Sequence, residues 1–205
     1  MNINDFPEPI RSHIIPACGG ELVYRCLGCA GVQGIEKLLY TCPDCGGVFL
    51  IEDRQFNRLS QIPGTTWRQI FDYRKMLNAP ALKGIYRYHE FIGPVVPLDA
   101  VVYLGEGHTP MVEANHTLQD RVGMRVFFKN DGQNPSASFK DRGMASALSY
   151  INTLIQSGRL SDVLSVCAST GDTSASAALY AAYLQPHVKS AVLLINSPAF
   201  SRILS

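Results

Sequence analysis

Residues 134–143 read Asn134-Pro135-Ser136-Ala137-Ser138-Phe139-Lys140-Asp141-Arg142-Gly143 and place one lysine at the start of a helix. Gly158 ends this helix, which is predicted by apolar residues at helical spacing: Met144, Ala147, Leu148, Ile151, Leu154 and Ile155. The positive end of a helix dipole disfavours a charged ammonium group, and a lysine that sheds its proton is a nucleophile able to form a Schiff base. The alternative is a solvated first-turn lysine with no chemical role.

The composition of the 205-residue chain is that of a globular protein, with 46% hydrophobic and 17% charged residues. A formal net charge of +1 gives no electrostatic basis for binding nucleic acid or an acidic membrane surface. No apolar run is long enough to span a bilayer, and residues 1–10 do not resemble a secretory signal. We therefore expect a cytoplasmic protein without nucleic-acid or membrane partners.

Four of the six cysteines form two Cys-x-x-Cys pairs, Cys26 with Cys29 and Cys42 with Cys45. In each pair the chain can turn back through a tight knuckle, so that two thiolates face one ion and two knuckles complete a tetrahedron. Two disulfides are one alternative, but the absence of a secretion signal favours a reducing compartment. Four reduced cysteines without metal are another. The spacing favours zinc.

The two pairs predict a zinc ribbon over residues 20–52, with strands at 21–25 and 47–52. Because all four ligands are thiolates, no coordination position remains for water. The zinc would therefore be structural rather than catalytic.

Residues 53–100 are predicted to be a helical linker segment. Thr65 or Thr66 would cap a helix that contains Trp67, and Asn78-Ala79-Pro80 would stop it. The aromatic stretch at 86–91 is interpreted as packing onto the core, because no basic surface accompanies it.

Strand and helix patterns alternate over residues 101–205. Strands are predicted at 101–104, 124–129, 162–168 and 188–195, and helices after Lys140 and at 173–184. Such alternation predicts parallel βαβ units and hence an α/β fold built on an open parallel sheet. Ligands of these sheets bind at the carboxyl ends of the strands, where Lys140 and the loop 169–174 would lie.

Three blocks of sequence, in this order along the chain, resemble those of threonine synthases within the fold-type-II pyridoxal-phosphate (PLP) enzymes. Leu104-Gly105-Glu106-Gly107-His108-Thr109-Pro110 resembles their Leu-Gly-Glu-Gly-x-Thr-Pro segment. Residues 134–143 are similar to the family's lysine motif, which usually reads Asn-Pro-Thr-Gly-Ser-Phe-Lys-Asp-Arg-Gly. Cys167-Ala168-Ser169-Thr170-Gly171-Asp172-Thr173-Ser174 resembles the loop that follows. The resemblance runs from about Tyr24 to about Leu194 and includes the ribbon, which several threonine synthases carry.

The resemblance implies a PLP-dependent carbon–oxygen lyase that converts O-phosphohomoserine and water to L-threonine and phosphate. It assigns the catalytic, cofactor-bound lysine to Lys140 and further cofactor contacts to Phe139 and Asp172. The substrate carboxylate would be held by Ser169, Thr170 and Thr173. A strand end before a helix offers backbone N–H groups and hydroxyls to an anion. The alternative for Ser169 and Thr170 is helix capping.

Asp172 departs from many fold-type-II enzymes, which have asparagine at this position. An ionised aspartate only accepts hydrogen bonds, so the arrangement of protons near the cofactor ring would differ. Other threonine synthases have aspartate here. Lys129 and Asn130 are expected to support the lysine loop. Asp141 and Arg142 receive no catalytic role, because a local ion pair on the helix surface would explain them equally well.

Residues after 195 resemble no part of the family. In threonine synthases the glycine-rich loop that grips the cofactor phosphate and the second lobe of the cleft lie beyond this point. We therefore expect an N-terminal portion of the enzyme, from a truncation, a frameshift or a split gene, that alone binds PLP weakly and shows no turnover. A second copy or a complementary C-terminal fragment would supply the missing lobe.

Two other functions compete with this interpretation. One is a related PLP-dependent lyase, either threonine dehydratase or a synthase that uses phosphoserine. The ribbon joined to Ser-Phe-Lys-Asp-Arg-Gly favours threonine synthase over the dehydratase. The other is a non-catalytic zinc-ribbon protein with a vestigial enzyme half, against which the intact Lys140 argues.

Overall fold

The computed structural model describes residues 3–169 and 171–193. The chain divides into two compact units. The N-terminal unit consists of Met1–Leu82 with Tyr86–Asp99, and the C-terminal unit of Lys83–Ile85 with Ala100–Ser205. Within the described residues, no helix is both long and apolar enough to cross a membrane.

A three-stranded antiparallel sheet forms the ribbon of the N-terminal unit. Its strands are β1 (Leu22–Cys26), β2 (Val32–Gly34) and β3 (Phe49–Asp53), in the order β2-β1-β3. The two predicted strands are therefore confirmed with a shift of one or two residues. β2 was not predicted, because three residues are too few to show an alternating pattern.

Helices build the rest of this unit: α1 (Glu8–Ile14), α2 (Gly64–Arg74) and the single turn α3 (His89–Ile92). α2 begins at Gly64 after Pro63, with no side-chain cap, so the predicted threonine cap is wrong. Pro63 fixes a backbone dihedral that suits the entry to a helix, and no hydroxyl is needed. The core of the unit comprises Phe6, Ile10, Ile14, Leu59, Trp67, Ile70, Leu77 and Leu82.

Arg74 is a fully buried cation in this unit. Its guanidinium group forms two hydrogen bonds to the Glu90 carboxylate, with Nη1 at 2.8 Å from Oε2. It also donates to the carbonyl oxygens of His13, Ile14 and Arg87. α1, α2 and the segment before α3 are thus joined by one side chain.

The described part of the C-terminal unit contains two separate pairs of strands. β4 (Met111–Glu113) and β5 (Phe127–Lys129) are antiparallel, whereas β6 (Val163–Ala168) and β7 (Val188–Leu193) are parallel. The helices are α4 (His116–Val122), α5 (Lys140–Gln156) and α6 (Asp172–Tyr183). Short 3₁₀ helices occur in both units at Ile3–Asp5, Ile35–Lys37, Phe56–Gln61, Pro80–Leu82, Ile85–Tyr88, Leu98–Ala100 and Asp131–Gln133.

The βαβ prediction is confirmed for β6, α6 and β7. The strand predicted at 124–129 is shorter and pairs antiparallel with β4. The strand predicted at 101–104 is wrong. In that segment the N–H of Val102 donates to Ser149 Oγ at 2.8 Å and the N–H of Leu104 donates to Glu106 Oε2 at 3.1 Å. These donors are used by side chains, so they are not available to a neighbouring strand.

The core of the C-terminal unit lies between α5, α6 and the parallel strand pair. Its buried residues are Val102, Ala145, Leu148, Tyr180, Ala181, Leu184 and Val188. α5 begins at Lys140 as predicted, and Gly158, with φ of +71°, follows its end. The strand predicted to reach residue 195 is described only to Leu193, and residues 194–205 lie outside the described part of the chain.

Candidate active site

Lys140 lies at the start of α5 and is half-buried. Its Nζ is 4.7 Å from the centroid of the Phe139 ring, which is itself exposed. The loop before it turns sharply, since the Ala137 N–H donates to the Asn134 carbonyl oxygen at 2.8 Å. Ala137 has φ of +59°, a left-handed conformation that favours glycine.

Asp141 and Arg142 do not form the expected local ion pair. Asp141 is fully buried and accepts hydrogen bonds from the Ser136 N–H at 2.7 Å and the Ser136 hydroxyl at 2.6 Å. A third hydrogen bond comes from the hydroxyl of Ser176, which lies on α6. Adjacent residues of a helix point about 100° apart and do not face each other, which explains why the two charges separate.

Arg142 instead forms a bidentate ion pair with Asp131, with Nη2 at 2.7 Å from Oδ2 and Nη1 at 3.2 Å from Oδ1. Asp131 also accepts the hydroxyl of Thr109 at 2.9 Å. The Gly107 N–H donates to Asn134 Oδ1 at 3.0 Å. The first motif, residues 104–110, is therefore bound to the lysine motif, residues 134–143, directly at Asn134 and through Asp131 at Arg142.

Lys129 and Asn130 also contact the first motif. The Lys129 ammonium group donates to the Thr109 carbonyl oxygen, and the Asn130 N–H donates to that of Pro110 at 2.9 Å. Within the described residues, Lys140 forms no ion pair. Its amino group is therefore not occupied by a carboxylate, whereas the neighbouring charged side chains have partners.

Glu106 of the first motif is 1% exposed. Its Oε2 accepts the N–H of Leu104 and the hydroxyl of Tyr180, the latter at 2.8 Å. Burial raises the pKa of Glu106 above its usual value, and hydrogen bonds to the carboxylate only partly offset this. Burial and the nearby Glu106 likewise raise the pKa of Tyr180.

The third motif follows β6 and leads into α6. Ser169 Oγ accepts the Gly171 N–H at 3.3 Å, and the Ser174 hydroxyl donates to the Gly171 carbonyl oxygen at 2.7 Å. Among the described side chains none caps α6, so the capping alternative does not apply to Ser169. Asp172 is exposed and Thr173 half-buried in the first turn, whereas Thr170 lies outside the described residues.

The four ribbon cysteines meet at one point in the N-terminal unit. Their sulfur atoms all lie within 4.8 Å of one another. Cys26 Sγ is 3.4 Å from Cys45 Sγ, and Cys29 Sγ is 3.7 Å from Cys42 Sγ. A tetrahedral zinc ion with bonds of about 2.3 Å to sulfur requires sulfur separations of roughly 3.8 Å. The donor set and spacing therefore fit zinc.

The two cysteine knuckles have the same hydrogen bonds. The N–H of Cys26 donates to the Gly31 carbonyl oxygen and that of Cys42 to the Gly47 carbonyl oxygen, both at 2.8 Å. Backbone N–H groups also point at the sulfur atoms, and that of Cys29 contributes most to lowering the pKa of Cys26 to about 6. Oriented backbone dipoles of this kind favour the thiolate form of Cys26.

Glycines leave room for the sulfur atoms. A Cβ on Gly47 would lie 2.9 Å from Cys26 Sγ and 3.2 Å from Cys45 Sγ. Gly46, with φ of +72°, has no atom within 4 Å of such a Cβ. The corresponding position of the first knuckle is Ala30, with φ of +58°.

The family described as "Pyridoxal-phosphate dependent enzyme" matches residues 102–197. This range contains the lysine loop, Asp131 and α6, whose contacts are described above. This part of the chain belongs to the pyridoxal-phosphate-dependent enzyme family. The cofactor of this family is PLP.

Curated relatives of the chain are threonine synthases. The threonine synthase of Methanocaldococcus jannaschii is 32% identical over 169 residues, which cover 78% of this chain and 35% of that protein. Those of Synechocystis sp. and Halalkalibacterium halodurans are 47% and 39% identical over 43% and 48% of this chain, and over 22% and 25% of their own lengths. The chain thus spans about a third, or less, of the relatives that it matches.

Four residues of this PLP-enzyme segment had not been assigned a role from the sequence. Their side chains connect the three motifs: Thr109, Asp131, Ser176 and Tyr180. The sequence could have indicated two of them, because Ser176 and Tyr180 are four residues apart and therefore share one face of an alanine-rich helix. Asp131 gave no such signal, since its partners are remote in sequence.

Proposed function

We propose that the chain provides the lysine-bearing part of a threonine synthase, which converts O-phosphohomoserine and water to L-threonine and phosphate. The observation that carries the proposal is the network around Lys140, in which buried or half-buried side chains join the lysine motif to the first motif and to helix α6. The similarity to threonine synthases over most of the chain supports it.

In this proposal Lys140, Phe139 and Asp172 hold the cofactor, and Ser169, Thr170 and Thr173 bind the substrate carboxylate. When bound, PLP supplies an electron sink for chemistry at the carbon atoms of an amino acid. Lys140 binds the cofactor covalently and then moves protons at the substrate carbons as a general base and acid. Asp172, if ionised, accepts a hydrogen bond from its ligand rather than donating one.

We also propose that β6 and β7 are neighbouring strands of an open parallel sheet, completed by a second copy or a complementary C-terminal fragment. Leu164 and Val166 on β6 are 65% and 54% exposed, and a further layer would bury this apolar face. A fragment matching the remaining two thirds of the M. jannaschii threonine synthase is a direct probe. Adding it should raise activity, whereas no effect at any ratio would contradict this part of the proposal.

For the ribbon we propose one structural zinc ion bound by Cys26, Cys29, Cys42 and Cys45. Protein purified under reducing conditions without chelators should contain about one zinc per chain. Cys26→Ser should reduce this content, while Cys18→Ser, which changes an exposed cysteine outside the cluster, should not. Equal zinc content in both variants would refute the assignment.

The cofactor assignment is tested by reduction with borohydride and mapping of the pyridoxyl group by peptide mass spectrometry. The group should be on Lys140 and disappear in Lys140→Ala, but persist in Lys75→Ala, which removes an exposed lysine paired with Asp72. Unchanged labelling of Lys140→Ala would refute the assignment.

The reaction is tested by phosphate release in the presence of the complementary C-terminal fragment, with threonine identified as the product. O-phosphohomoserine should be consumed in preference to O-phosphoserine, and threonine should not be dehydrated. Preference for O-phosphoserine, or dehydration of threonine, would instead identify one of the related lyases.

A further inference from the structure

One face of α6 carries two buried hydroxyl groups among small residues. Ser176 and Tyr180 are both fully buried, and they are one helical turn apart. Each donates its hydroxyl to a buried carboxylate, Ser176 to Asp141 and Tyr180 to Glu106. The two carboxylates belong to the lysine motif and to the first motif. α6 is therefore bound along one face to both of them.

Asp141 is directly bonded in the chain to Lys140 and accepts three hydrogen bonds. Two come from Ser136 in the loop before the lysine, and the third comes from Ser176. A carboxylate has the capacity to accept all three, and no donor is needed from it. Asp141 thus connects the lysine loop, the first turn of α5 and helix α6 at one buried point.

The first turn of α6 contains Thr173, which is three residues before Ser176. At 1.5 Å per residue, Ser176 lies roughly 4.5 Å along the helix axis from Thr173. Because a helix is rigid over one turn, a bond that fixes Ser176 also fixes the first turn.

We propose that Asp141 is a positioning residue that holds the first turn of α6 at a fixed distance from Lys140 through its hydrogen bond with Ser176. This proposal rests on the proposed function, because Lys140 and the first turn of α6 are there assigned to the cofactor and to the substrate carboxylate. It assigns Asp141 no contact with either ligand.

A purely structural role for Asp141 would stabilise the unit without affecting this distance. Ser176→Ala and Ser149→Ala separate the two roles, since both remove a hydroxyl from a fully buried serine. Ser149 Oγ accepts the Val102 N–H at 2.8 Å and does not contact α6 through its hydroxyl. Loss of this hydroxyl leaves the Val102 N–H without its partner, so Ser149→Ala should cost at least as much stability as Ser176→Ala.

The experiment uses the full 205-residue chain and measures hydrogen exchange in peptides covering residues 171–177. Ser176→Ala should accelerate exchange there roughly tenfold, as expected when one hydrogen bond no longer restrains local opening. Ser149→Ala should not. Asp141→Asn should give a smaller acceleration, because the serine hydroxyls can turn to accept from the new amide group.

A second measurement uses the protein loaded with PLP and follows the binding of O-phosphohomoserine by the change in the visible absorption spectrum. Ser176→Ala should weaken this binding roughly tenfold while borohydride still labels Lys140. Equal exchange and binding in the two serine variants would overturn the positioning role. Absence of labelling in the wild-type chain would instead refute the proposed function, and the exchange measurement would still decide whether Asp141 restrains α6.

Discussion

Ala137→Gly should stabilise the C-terminal unit, although glycine usually destabilises proteins. Ala137 has φ of +59°, and a left-handed conformation costs an L-residue about 1–2 kcal/mol. Glycine removes this cost but loses about 0.5–1 kcal/mol more entropy on folding. The Ala137 side chain is exposed, so removing its methyl group gives up little burial. The net gain should be about 0.5–1 kcal/mol, and threonine synthases, which the loop resembles, usually have glycine here.

Urea denaturation followed by far-ultraviolet circular dichroism measures this gain. Trp67 is the only tryptophan and lies in the N-terminal unit, so its fluorescence transition should not move. The matched control is Ala147→Gly at an exposed position inside α5, which should lose about 1 kcal/mol. The reasoning would be refuted if Ala137→Gly lowered the stability of the C-terminal unit, or if the two glycine variants behaved alike.

Three further predictions concern the ribbon and the two units. Gly47→Ala should weaken zinc binding in a competition assay with a chromogenic chelator, because its Cβ would crowd Cys26 Sγ. Gly64→Ala, which lies outside the ribbon and whose added Cβ has no atom within 4 Å, should leave zinc affinity unchanged. Arg74→Met should destabilise the N-terminal unit by about 3–5 kcal/mol in urea titrations of tryptophan fluorescence, because it leaves the Glu90 carboxylate without its ion-pair partner. Burial raises the pKa of Glu106, so the folded state binds its proton more tightly than the unfolded state does. The resulting stabilisation is complete below the ordinary glutamate pKa of about 4.3 and is lost as the pH rises through the raised value. Glu106→Gln should therefore gain stability relative to wild type between pH 4 and 8, and a constant difference would contradict the burial effect.

Elements with a long periodic pattern were predictable from the sequence. α5 extends over 17 residues, and β6, α6 and β7 form a complete strand–helix–strand unit. The three-residue strands β2 and β4 were not predicted, because a pattern of this length cannot be distinguished from a loop. Hydrophobic alternation therefore located the elements next to Lys140, but not the short strands elsewhere.

The segment 101–104 shows a different limit of sequence interpretation. Its apolar residues fit a buried strand, yet its N–H groups bind Ser149 and Glu106. Ser149 is 47 residues away from Val102, and nothing in the local pattern reveals such a partner. Local periodicity reports which residues are buried, but tertiary contacts decide where their backbone hydrogen bonds go.

The position of Asp141 follows from helix geometry once the start of α5 is known. Asp141 and Arg142 are adjacent, so their side chains diverge, and each reaches a different part of the unit. Asp141 is directed inward to Ser136 and Ser176, and Arg142 pairs with Asp131, so both charged residues that follow Lys140 already have partners. A lysine held by a carboxylate would have to break an ion pair before its amino group could attack an aldehyde, because an ammonium group is not a nucleophile. The acidic neighbour of Lys140 is thus directed away from it, and its carboxylate binds the loop and α6. Among the described residues the Lys140 amino group therefore has no carboxylate partner, as its proposed role requires.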